Sequence, residues 1–512
     1  MSSESAIPSE VFAQVTEAWA RQDYALGEQL LAEACQSYPN HQHLRTCHAA
    51  ALGYCARFPA ARAAFDELLR NTPPEKRLHM HGLLGIEWCR IGRHDLAAPL
   101  LRVAMEARPP AAPVVQELAD ALLHLRQREE ALEILRAGLR QHPEHPGLLL
   151  IRARAERLGK DFERAAATAR QVIASPSAAP DTRAQAGHEL GHALDALDRH
   201  REAFDAYQAA KLCSRPDLET FLPIWRKRHE ALCRFDGQPA RADYERWATT
   251  AAGEPPLDGQ PALLTGLPRS GTTLLERVLD AHPGVISAPE TPAFGSMWNR
   301  HLRASPAART LNEILPTITP EQWRESRAFY WQEIEQAIEQ PAAGRVVLDK
   351  NPSTLPNVPV MQRFFPESKL LIALRDPRAV AWSCFAQYLP PNPEAAAFNR
   401  FDTLAAHVAA NYRFWLHTRG QLPPGTWREC RYESLVADFE TEVRGTLEFL
   451  GLPWHAGVTR HHTNPAPVRS PTYAEASQPV YSRALDNWRH YEEFMGDALP
   501  ALNGVLAELG YD

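Results

Sequence analysis

The sequence predicts a multidomain protein in which an all-α half precedes an α/β half built on a parallel sheet. Its 512 residues exceed the usual size of one domain. A helical pattern recurs about every 34 residues up to residue 215, and short apolar strands alternate with helices beyond residue 258. We therefore expect a helical repeat domain over residues 1–215, an adapter helix and linker over 216–258, and an α/β domain over 259–512.

Two periodic series of residues define the repeat of the first half. Prolines close successive units in steps of 33 to 36 residues, and one small residue per unit recurs at a similar interval. The prolines are Pro39, Pro73, Pro109, Pro143 and Pro176, and the small residues are Ala25, Ala61, Ala97, Ala131, Ala165 and Ala203. The last step between small residues is 38 residues long, which predicts an insertion near residues 179–181.

Two antiparallel amphipathic helices per unit are typical of tetratricopeptide repeats, which this half resembles. The resemblance implies a superhelix with a concave face. We interpret that face as a docking surface for a protein or peptide partner. The alternative interpretation is an appendage that stabilises or dimerises the chain.

Composition favours a globular protein of the cytoplasm. The chain is 45% hydrophobic and 23% charged, and no apolar run approaches the ~20 residues of a membrane span. The first residues lack a basic stretch followed by an apolar core, so no secretory signal is expected. Eight scattered cysteines without a C-x-x-C pair predict neither a disulfide framework nor a metal site. The net charge of -7 argues against nucleic-acid binding.

The first residues of the α/β half predict a P-loop-like phosphate cradle. An apolar strand over 262–265 leads into a turn over 266–271, and Thr272 opens an amphipathic helix. Such a turn presents backbone N–H groups and the positive end of a helix to an anion. Gly271 lets the backbone approach the ligand, and Arg269 adds a fixed charge. It is not a Walker A loop, which requires lysine where Thr272 stands. A purely structural turn is the alternative.

Two further polar clusters follow predicted strands. Lys350 comes just after a strand over Arg345–Asp349, and Arg375 follows a strand over Lys369–Leu374, with Ser383 eight residues later. Each cluster alone also fits a local role, as a solvated lysine or an ion-paired turn. Parallel sheets bind ligands at the carboxyl ends of their strands, so the clusters and the cradle together favour one ligand site.

Three more elements complete the prediction for this half. We expect a strand over Trp427–Tyr432, a helix over Phe439–Leu450, and a last helix over Arg483–Phe494 that packs back across the domain.

Residues 260–495 resemble the sulfotransferase family, in particular bacterial members fused to tetratricopeptide repeats and, in motif detail, tyrosylprotein sulfotransferases. The segment PRSGTTLLERVLDAHP is similar to the family's 5′-phosphosulfate loop, and RDPRAVAWS is similar to its 3′-phosphate motif. DKNP is similar to its lysine segment, and RYESLV followed by FLGLPW to the strand and helix that come next. The resemblance implies sulfuryl transfer from 3′-phosphoadenosine 5′-phosphosulfate (PAPS) as co-substrate.

The resemblance also implies roles for single residues. Those expected to hold the 5′-phosphosulfate are Arg269, Ser270, Gly271, Thr272 and Thr273. Arg375 and Ser383 are expected to bind the 3′-phosphate, Tyr432 to approach the nucleotide, and Lys350 to contact the oxygen that bridges phosphate and sulfate. Thr472–Tyr481 resembles a loop that folds over the 3′-phosphate, but Ser477 and Gln478 stand where the family usually has a basic residue.

Glu290 is the predicted catalytic base. Its position matches the basic glutamate of tyrosylprotein sulfotransferases, and a carboxylate on a loop after the cradle helix can accept the proton of an acceptor hydroxyl. His282 is the rival, because a histidine is the base in cytosolic sulfotransferases, although its Asp-Ala-His-Pro context is typical of a helix end. We predict in-line transfer without a metal, with Lys350, Arg269 and the helix N-terminus stabilising the leaving phosphate.

The acceptor is a hydroxyl group of unspecified origin. Pro292 stands where tyrosylprotein sulfotransferases carry an arginine that contacts an acidic peptide, so protein tyrosine, saccharide and small-molecule acceptors all fit. One alternative function is a catalytically silent repeat scaffold with a nucleotide-binding domain. Another is a P-loop kinase, which the missing Walker lysine and the Arg375/Ser383 pair disfavour.

Overall fold

A computed structural model describes residues 9–20, 23–304, 310–463 and 483–511. Up to residue 251 these residues fold almost wholly into helices. The helices are α1 (Ser9–Ala20), α2 (Tyr24–Ser37), α3 (Gln42–Tyr54), α4 (Phe58–Arg70), α5 (Arg77–Arg90), α6 (His94–Ala104), α7 (Ala112–His124), α8 (Arg128–Gln141), α9 (Pro146–Leu158), α10 (Phe162–Ala174), α11 (Pro180–Ala196), α12 (His200–Glu219), α13 (Leu222–Leu232) and α14 (Arg241–Ala251).

Helices α1 to α12 pair in sequence into antiparallel hairpins, which confirms the predicted repeat half. All the predicted small residues except Ala25 lie at the fourth position of the second helix of their pair, where Ala61, Ala97, Ala131 and Ala203 have no exposed surface. A small side chain at that position lets the paired helices approach closely. The predicted domain limits at residues 215 and 258 stay predictions.

One detail of the predicted repeat was wrong, and another is now located. In the first pair, the fourth position of α2 is held by Gly27, not Ala25, and a Cβ atom at Gly27 would meet the Trp19 indole at 2.3 Å. The extra residues of the last unit lie in α11, which begins at Pro180, next to the predicted insertion near residues 179–181. They lengthen α11 to 17 residues, compared with 13 in α9. Four residues add about one helical turn, so the longer helix keeps the same face toward its neighbours.

The α/β half is built on a sheet whose strands in the described residues are β1 (Gln260–Gly266), β2 (Val285–Ala288), β3 (Val346–Lys350), β4 (Lys369–Leu374) and β5 (Trp427–Arg431). Their order is β2-β3-β1-β4-β5, and every pairing is parallel. The predicted parallel sheet is confirmed. The short edge strand β2 was not predicted, because its four residues follow the cradle helix without a recognisable alternation.

Helices cover the sheet and close the chain. They are α15 (Thr272–Asp280), α16 (Ala293–Ala304), α17 (Leu311–Ile314), α18 (Pro320–Ile338), α19 (Val358–Phe364), α20 (Pro377–Ala386), α21 (Pro393–Ala397), α22 (Phe401–Gln421), α23 (Tyr432–Ala437), α24 (Phe439–Phe449), α25 (Arg483–Asp486), α26 (Glu492–Met495) and α27 (Ala498–Leu509). Among the described residues, no helix is both long and apolar enough to cross a membrane.

The end of the chain differs from the prediction in two places. Tyr432 is not the last residue of a strand but the first residue of α23, because β5 stops at Arg431. The segment predicted as one last helix over 483–494 is broken into α25, a 3-10 turn over Asn487–Tyr491, and α26. The chain then continues into α27, which the sequence prediction did not include.

One edge of the repeat half rests on the α/β half. The turns between paired helices reach across in a regular series: Arg57 donates to Glu333 at 2.9 Å, and Arg93 donates to Glu339 at 2.8 Å. Asp23 forms an ion pair with Arg303 in the same way. A continuous apolar cluster extends from α9–α12 into the sheet domain. Because the turns recur with the repeat, the contacts recur with it as well.

The buried small residues give a direct test of the repeat packing. We expect Ala61→Leu to destabilise the protein by about 1–3 kcal/mol, because the added side chain has no space between the paired helices. Ala60→Leu is the matched control, since Ala60 lies in the same helix but is exposed. Thermal unfolding followed by circular dichroism should show a lower midpoint for the first variant only. Equal midpoints would contradict the packing described here.

Candidate functional site

The carboxyl ends of β1 to β5 bring the predicted site residues to one edge of the sheet. Glu290 follows β2, Lys350 ends β3, the cradle follows β1, Arg375 follows β4 and Tyr432 follows β5. In space the strand order makes this a row: Glu290, Lys350, the cradle, Arg375 and Tyr432. Neighbouring strands lie about 4.8 Å apart, so the row spans roughly 19 Å.

The cradle turn has an unusual backbone. Gly271, directly before α15, has φ 101°, and Arg269 has φ 68°, a conformation that non-glycine residues seldom adopt. A Cβ atom at Gly271 would lie 2.7 Å from the Tyr432 ring. Only glycine therefore allows the turn and the ring to approach so closely. Strained backbone of this kind is concentrated at functional sites.

Two serines connect the cradle to its surroundings. The Ser270 hydroxyl is buried and donates to the backbone carbonyl of Leu267 at 2.7 Å, so this side chain fixes the turn itself. Arg269 Nε donates to Ser383 Oγ at 2.7 Å. One hydrogen bond thus links Arg269, which is predicted to hold the 5′-phosphosulfate, to Ser383, which is predicted to bind the 3′-phosphate. Thr272 is buried and Thr273 is half-buried, both in the first turn of α15.

Arg375 lies between the cradle and Tyr432. Its Nη1 donates to the backbone carbonyl of Arg269 at 3.0 Å, and its guanidinium lies 4.7 Å above the centre of the Tyr432 ring. By contrast, Arg378 of the same motif pairs with Asp376 at 2.7 Å and stacks on Trp488. The motif therefore contains one arginine directed to the site and one local ion pair.

Lys350 contacts two carboxylates. Its ammonium hydrogen-bonds Glu290 and lies 3.4 Å from Glu276, a residue of α15. The Lys350 side chain is 4% exposed, whereas that of Glu290 is 44% exposed. Burial alone would lower the pKa of Lys350, but the carboxylates of Glu276 and Glu290 outweigh it and hold that pKa above its usual value. Lys350 is therefore a protonated group that lies between Glu290 and the cradle in the row.

A third carboxylate lies on the other side of β3. Asp349 is buried and accepts a hydrogen bond from the Tyr330 hydroxyl at 2.7 Å. Burial raises the pKa of Asp349 to about 6, although the Tyr330 hydrogen bond and Lys350 oppose the rise. Successive side chains of a strand point to opposite faces. Asp349 therefore lies on the other face of β3 from Lys350, where its hydrogen bond with Tyr330 holds the strand.

His282 lies at the opposite edge of the sheet. It follows the end of α15, about 13 Å along the helix from the cradle, and it precedes β2. Its Nδ1 accepts from the Gly284 N–H at 2.9 Å, so Nε2 carries the proton that it donates to the Pro453 carbonyl at 3.0 Å. Both ring nitrogens are engaged in holding a loop. This placement favours Glu290 over His282 as the base.

The repeat half reaches the site through α20, the helix that carries Ser383. His188 Nδ1 donates to the carbonyl of Ala386 at 2.7 Å, and Lys211 Nζ donates to the carbonyl of Gln387 at 3.0 Å. These side chains, from α11 and α12, satisfy carbonyls that a helix end otherwise leaves without partners. Burial lowers the pKa of Lys211 to about 7. Tyr388, just beyond, hydrogen-bonds Asp181 of α11.

Sequence reasoning missed Glu276, the strand β2 and the capping of α20. Glu276 follows Thr272 by four residues, so helical spacing places both on one side of α15, and that spacing is the signal that would have revealed it. His188 and Lys211 lie far from the motifs in the chain and left no such signal. The predicted loop Thr472–Tyr481 lies outside the described residues.

Comparison with known proteins identifies what each half resembles. A strand, a glycine-containing turn and a helix at the carboxyl edge of a parallel sheet are the elements of a P-loop-like domain. Residues 261–456 match the Sulfotransferase family, and residues 48–112 and 92–155 each match a Tetratricopeptide repeat family. Residues 261–456 are therefore similar to sulfotransferases, and the helices before them are similar to tetratricopeptide repeats.

Similar proteins cover different shares of the chain. An uncharacterized protein of Aquifex aeolicus is 25% identical over 81% of this chain, which spans only 53% of that relative. A putative protein-tyrosine sulfotransferase of Caenorhabditis briggsae is 28% identical over 48% of this chain and 87% of its own length. Protein-tyrosine sulfotransferase 1 of Danio rerio is also 28% identical over 48% of this chain, which spans 71% of that protein.

Solved structures resemble the chain only distantly. The sulfotransferase domain of the Synechococcus PCC 7002 olefin synthase covers 50% of this chain and 98% of its own, with 21% identity and a TM-score of 0.35.

The lowered pKa of Lys211 predicts how stability depends on pH. Between the native pKa near 7 and the higher pKa of an unfolded lysine, the unfolded chain binds the extra proton. Stability should therefore rise with pH in this range, by up to about 1 kcal/mol per pH unit. Lys211→Met should remove this part of the rise, as measured by unfolding of both proteins between pH 7 and 9. Lys227→Met, at an exposed position, is the control. A difference between wild type and Lys211→Met that stays constant with pH would contradict the assignment.

Proposed function

We propose that this chain transfers a sulfuryl group from PAPS to a hydroxyl acceptor by in-line displacement, with Glu290 as the base. The row of residues at the carboxyl ends of β1 to β5 is the observation that carries the proposal. A donor with a phosphosulfate at one end and a 3′-phosphate at the other matches a row with Lys350 and the cradle near one end and Arg375 near the other.

The residues of the row fit such a donor. Arg269 and Arg375 are arginines, whose forked N–H groups suit phosphate oxygens. The N-terminus of α15 adds backbone donors and a positive dipole end. An ammonium has three N–H donors, so the contacts of Lys350 with its two carboxylates leave one for a substrate oxygen. Ser383, already bonded to Arg269, adds a hydroxyl to the 3′-phosphate end.

The proposed reaction is a displacement at the sulfur atom of PAPS. A bond forms between the acceptor oxygen and sulfur while the bond between sulfur and the bridging oxygen breaks. Its electron pair stays on the 5′-phosphate of the product, 3′-phosphoadenosine 5′-phosphate (PAP). Glu290 accepts the acceptor proton, and its 44% exposed side chain lets the proton pass to solvent afterwards. Lys350, Arg269 and the α15 N-terminus stabilise the charge that develops on the leaving phosphate.

The acceptor class includes protein tyrosine, saccharides and small hydroxyl compounds. The names of the Caenorhabditis and Danio relatives support protein tyrosine. Pro292, where the resemblance leads us to expect an arginine, supports a different recognition of the acceptor. We propose in addition that the chain works in the cytoplasm and that the concave face of the repeats docks a protein or peptide.

Two alternatives have less support. A silent nucleotide-binding scaffold gives no reason for an exposed carboxylate in contact with a buried lysine beside the cradle. A P-loop kinase would need the lysine that Thr272 replaces.

Lys350→Ala separates turnover from binding. We expect it to lower PAPS turnover by about 100-fold or more, because a charge opposite the leaving phosphate is lost, while PAP affinity changes by less than about threefold. Glu290→Gln should lower turnover in the same way. Turnover is measured as the release of PAP from PAPS with a tyrosine peptide, a saccharide or a simple phenol as the acceptor. PAP affinity is measured by calorimetry.

Lys369→Ala is the matched control for this experiment. Lys369 begins β4 at the opposite edge of the sheet and donates to the Gly425 carbonyl, so its loss should leave turnover unchanged. Unchanged turnover in Lys350→Ala would remove Lys350 from the mechanism. PAP binding without turnover of PAPS by any of the acceptors or by water would favour the silent scaffold.

A further inference from the structure

Glu276 is a partly buried carboxylate that contacts Lys350 and takes no part in the proposed proton transfer. It lies on the second turn of α15, 15% exposed, with Oε2 at 3.4 Å from Lys350 Nζ. Its other oxygen, Oε1, accepts a hydrogen bond from Ser287 Oγ on β2 at 2.7 Å. The Ser287 N–H donates in turn to Asp280 of α15 at 3.1 Å. The Glu276 carboxylate is thus held by contacts with Ser287 of β2 and Lys350 of β3.

The two carboxylates that contact Lys350 differ in their surroundings. Glu290 is largely accessible to solvent, whereas Glu276 is largely enclosed. Burial raises the pKa of Glu276, and the Lys350 ammonium and the Ser287 hydroxyl oppose that rise. A proton can reach Glu290 from an acceptor, but the enclosed Glu276 has no comparable access.

We propose that Glu276 is a positioning residue, the permanent counter-ion that holds the Lys350 ammonium in place while Glu290 gains and loses a proton. This inference rests on the proposed function. It gives the two carboxylates different roles. Glu290 takes part in proton transfer, and Glu276 keeps the lysine paired.

The charge balance explains why two carboxylates are needed. When Glu290 takes up a proton, its charge disappears, and without Glu276 only the donor anion would then compensate the buried Lys350 ammonium. A buried charge without a partner is costly. With Glu276 ionised, the lysine remains paired throughout the reaction. Its ammonium then keeps both its charge and its position opposite the bridging oxygen.

Charged groups around Glu290 set the direction of the pH effect. Lys350 attracts its negative form, while the carboxylates of Glu276, Asp349 and Glu394 lie close enough to repel it. On the side of α15, Arg277 also interacts with Glu276. Replacing Glu276 by glutamine removes one of the carboxylates that repel a negative charge on Glu290. The acid limb of the rate profile should then move to lower pH.

The first experiment uses the full-length protein and the hydrolysis of PAPS to PAP and sulfate, in which water replaces the acceptor. Glu276→Gln should lower the maximal rate by about tenfold or more and shift the acid limb down by roughly half a pH unit or more. Glu276→Asp keeps the charge and should leave the limb in place. Glu440→Gln, an exposed carboxylate paired with Arg444, is the control for both quantities.

The second experiment does not depend on activity. When Lys350 is present, Glu276→Gln should clearly lower the midpoint of thermal unfolding, because the buried Lys350 ammonium then faces a neutral amide. The loss should be much smaller when Lys350→Met is already present, since a double-mutant cycle isolates the pair. Glu290→Gln should show weaker coupling to Lys350, because Glu290 is exposed.

The two experiments separate the possible failures. A wild type that neither binds PAP nor hydrolyses PAPS overturns the proposed function, and the unfolding cycle still decides whether Glu276 holds Lys350. A lower rate in Glu276→Gln with an unmoved acid limb overturns the positioning role, since a merely structural residue would give that result. Equal losses of stability with and without Lys350 overturn it independently.

Discussion

All strands from β1 to β5 run in the same direction, and the candidate site depends on that constraint. Parallel pairing places every carboxyl end at one edge of the sheet, so residues as distant in sequence as Glu290 and Tyr432 enter one row. The register is fixed by backbone hydrogen bonds and by side chains that are buried on both faces, such as Leu263 and Leu264 of β1. A site of this kind needs no flexible loop to gather its residues.

Within the row, electrostatics is arranged around one buried ammonium. Lys350 ends the strand next to β1, so it lies between the cradle and Glu290. Two carboxylates compensate its charge from opposite surroundings, one enclosed and one exposed. Beyond the cradle, arginines provide the positive charge instead. The row thus has carboxylates at its β2 end and guanidinium groups toward its β5 end.

The sequence predicted those parts that have a local signature. The repeat period, the strand–turn–helix of the cradle and the apolar strands β3 and β4 each appear as patterns within a short window. Parts that depend on tertiary contacts were missed or wrong. The edge strand β2 is too short to show alternation, Tyr432 starts a helix because β5 ends one residue earlier, and the final segment breaks at residue 487. Glu276 was overlooked because its partners, Lys350 and Ser287, lie on other elements. The role of each site residue stays a prediction.

The repeats make extensive contacts with the α/β half. Their helix-pair turns form ion pairs with α16 and α18, and their last helices cap α20, the helix that carries Ser383. Phe204 of α12 stacks on Phe494 near the chain end at 4.4 Å. The two halves therefore share one apolar core, which includes residues of α20.

The central claim is that the row at the sheet edge binds a 3′-phosphorylated nucleotide. Calorimetric titration of the full-length protein with PAP and, separately, with ATP tests it most directly. We predict saturable binding of PAP, weaker or undetectable binding of ATP, and loss of PAP binding in Arg375→Ala, whose guanidinium lies at that end of the row. The absence of PAP binding, or tighter binding of ATP than of PAP, would contradict the account.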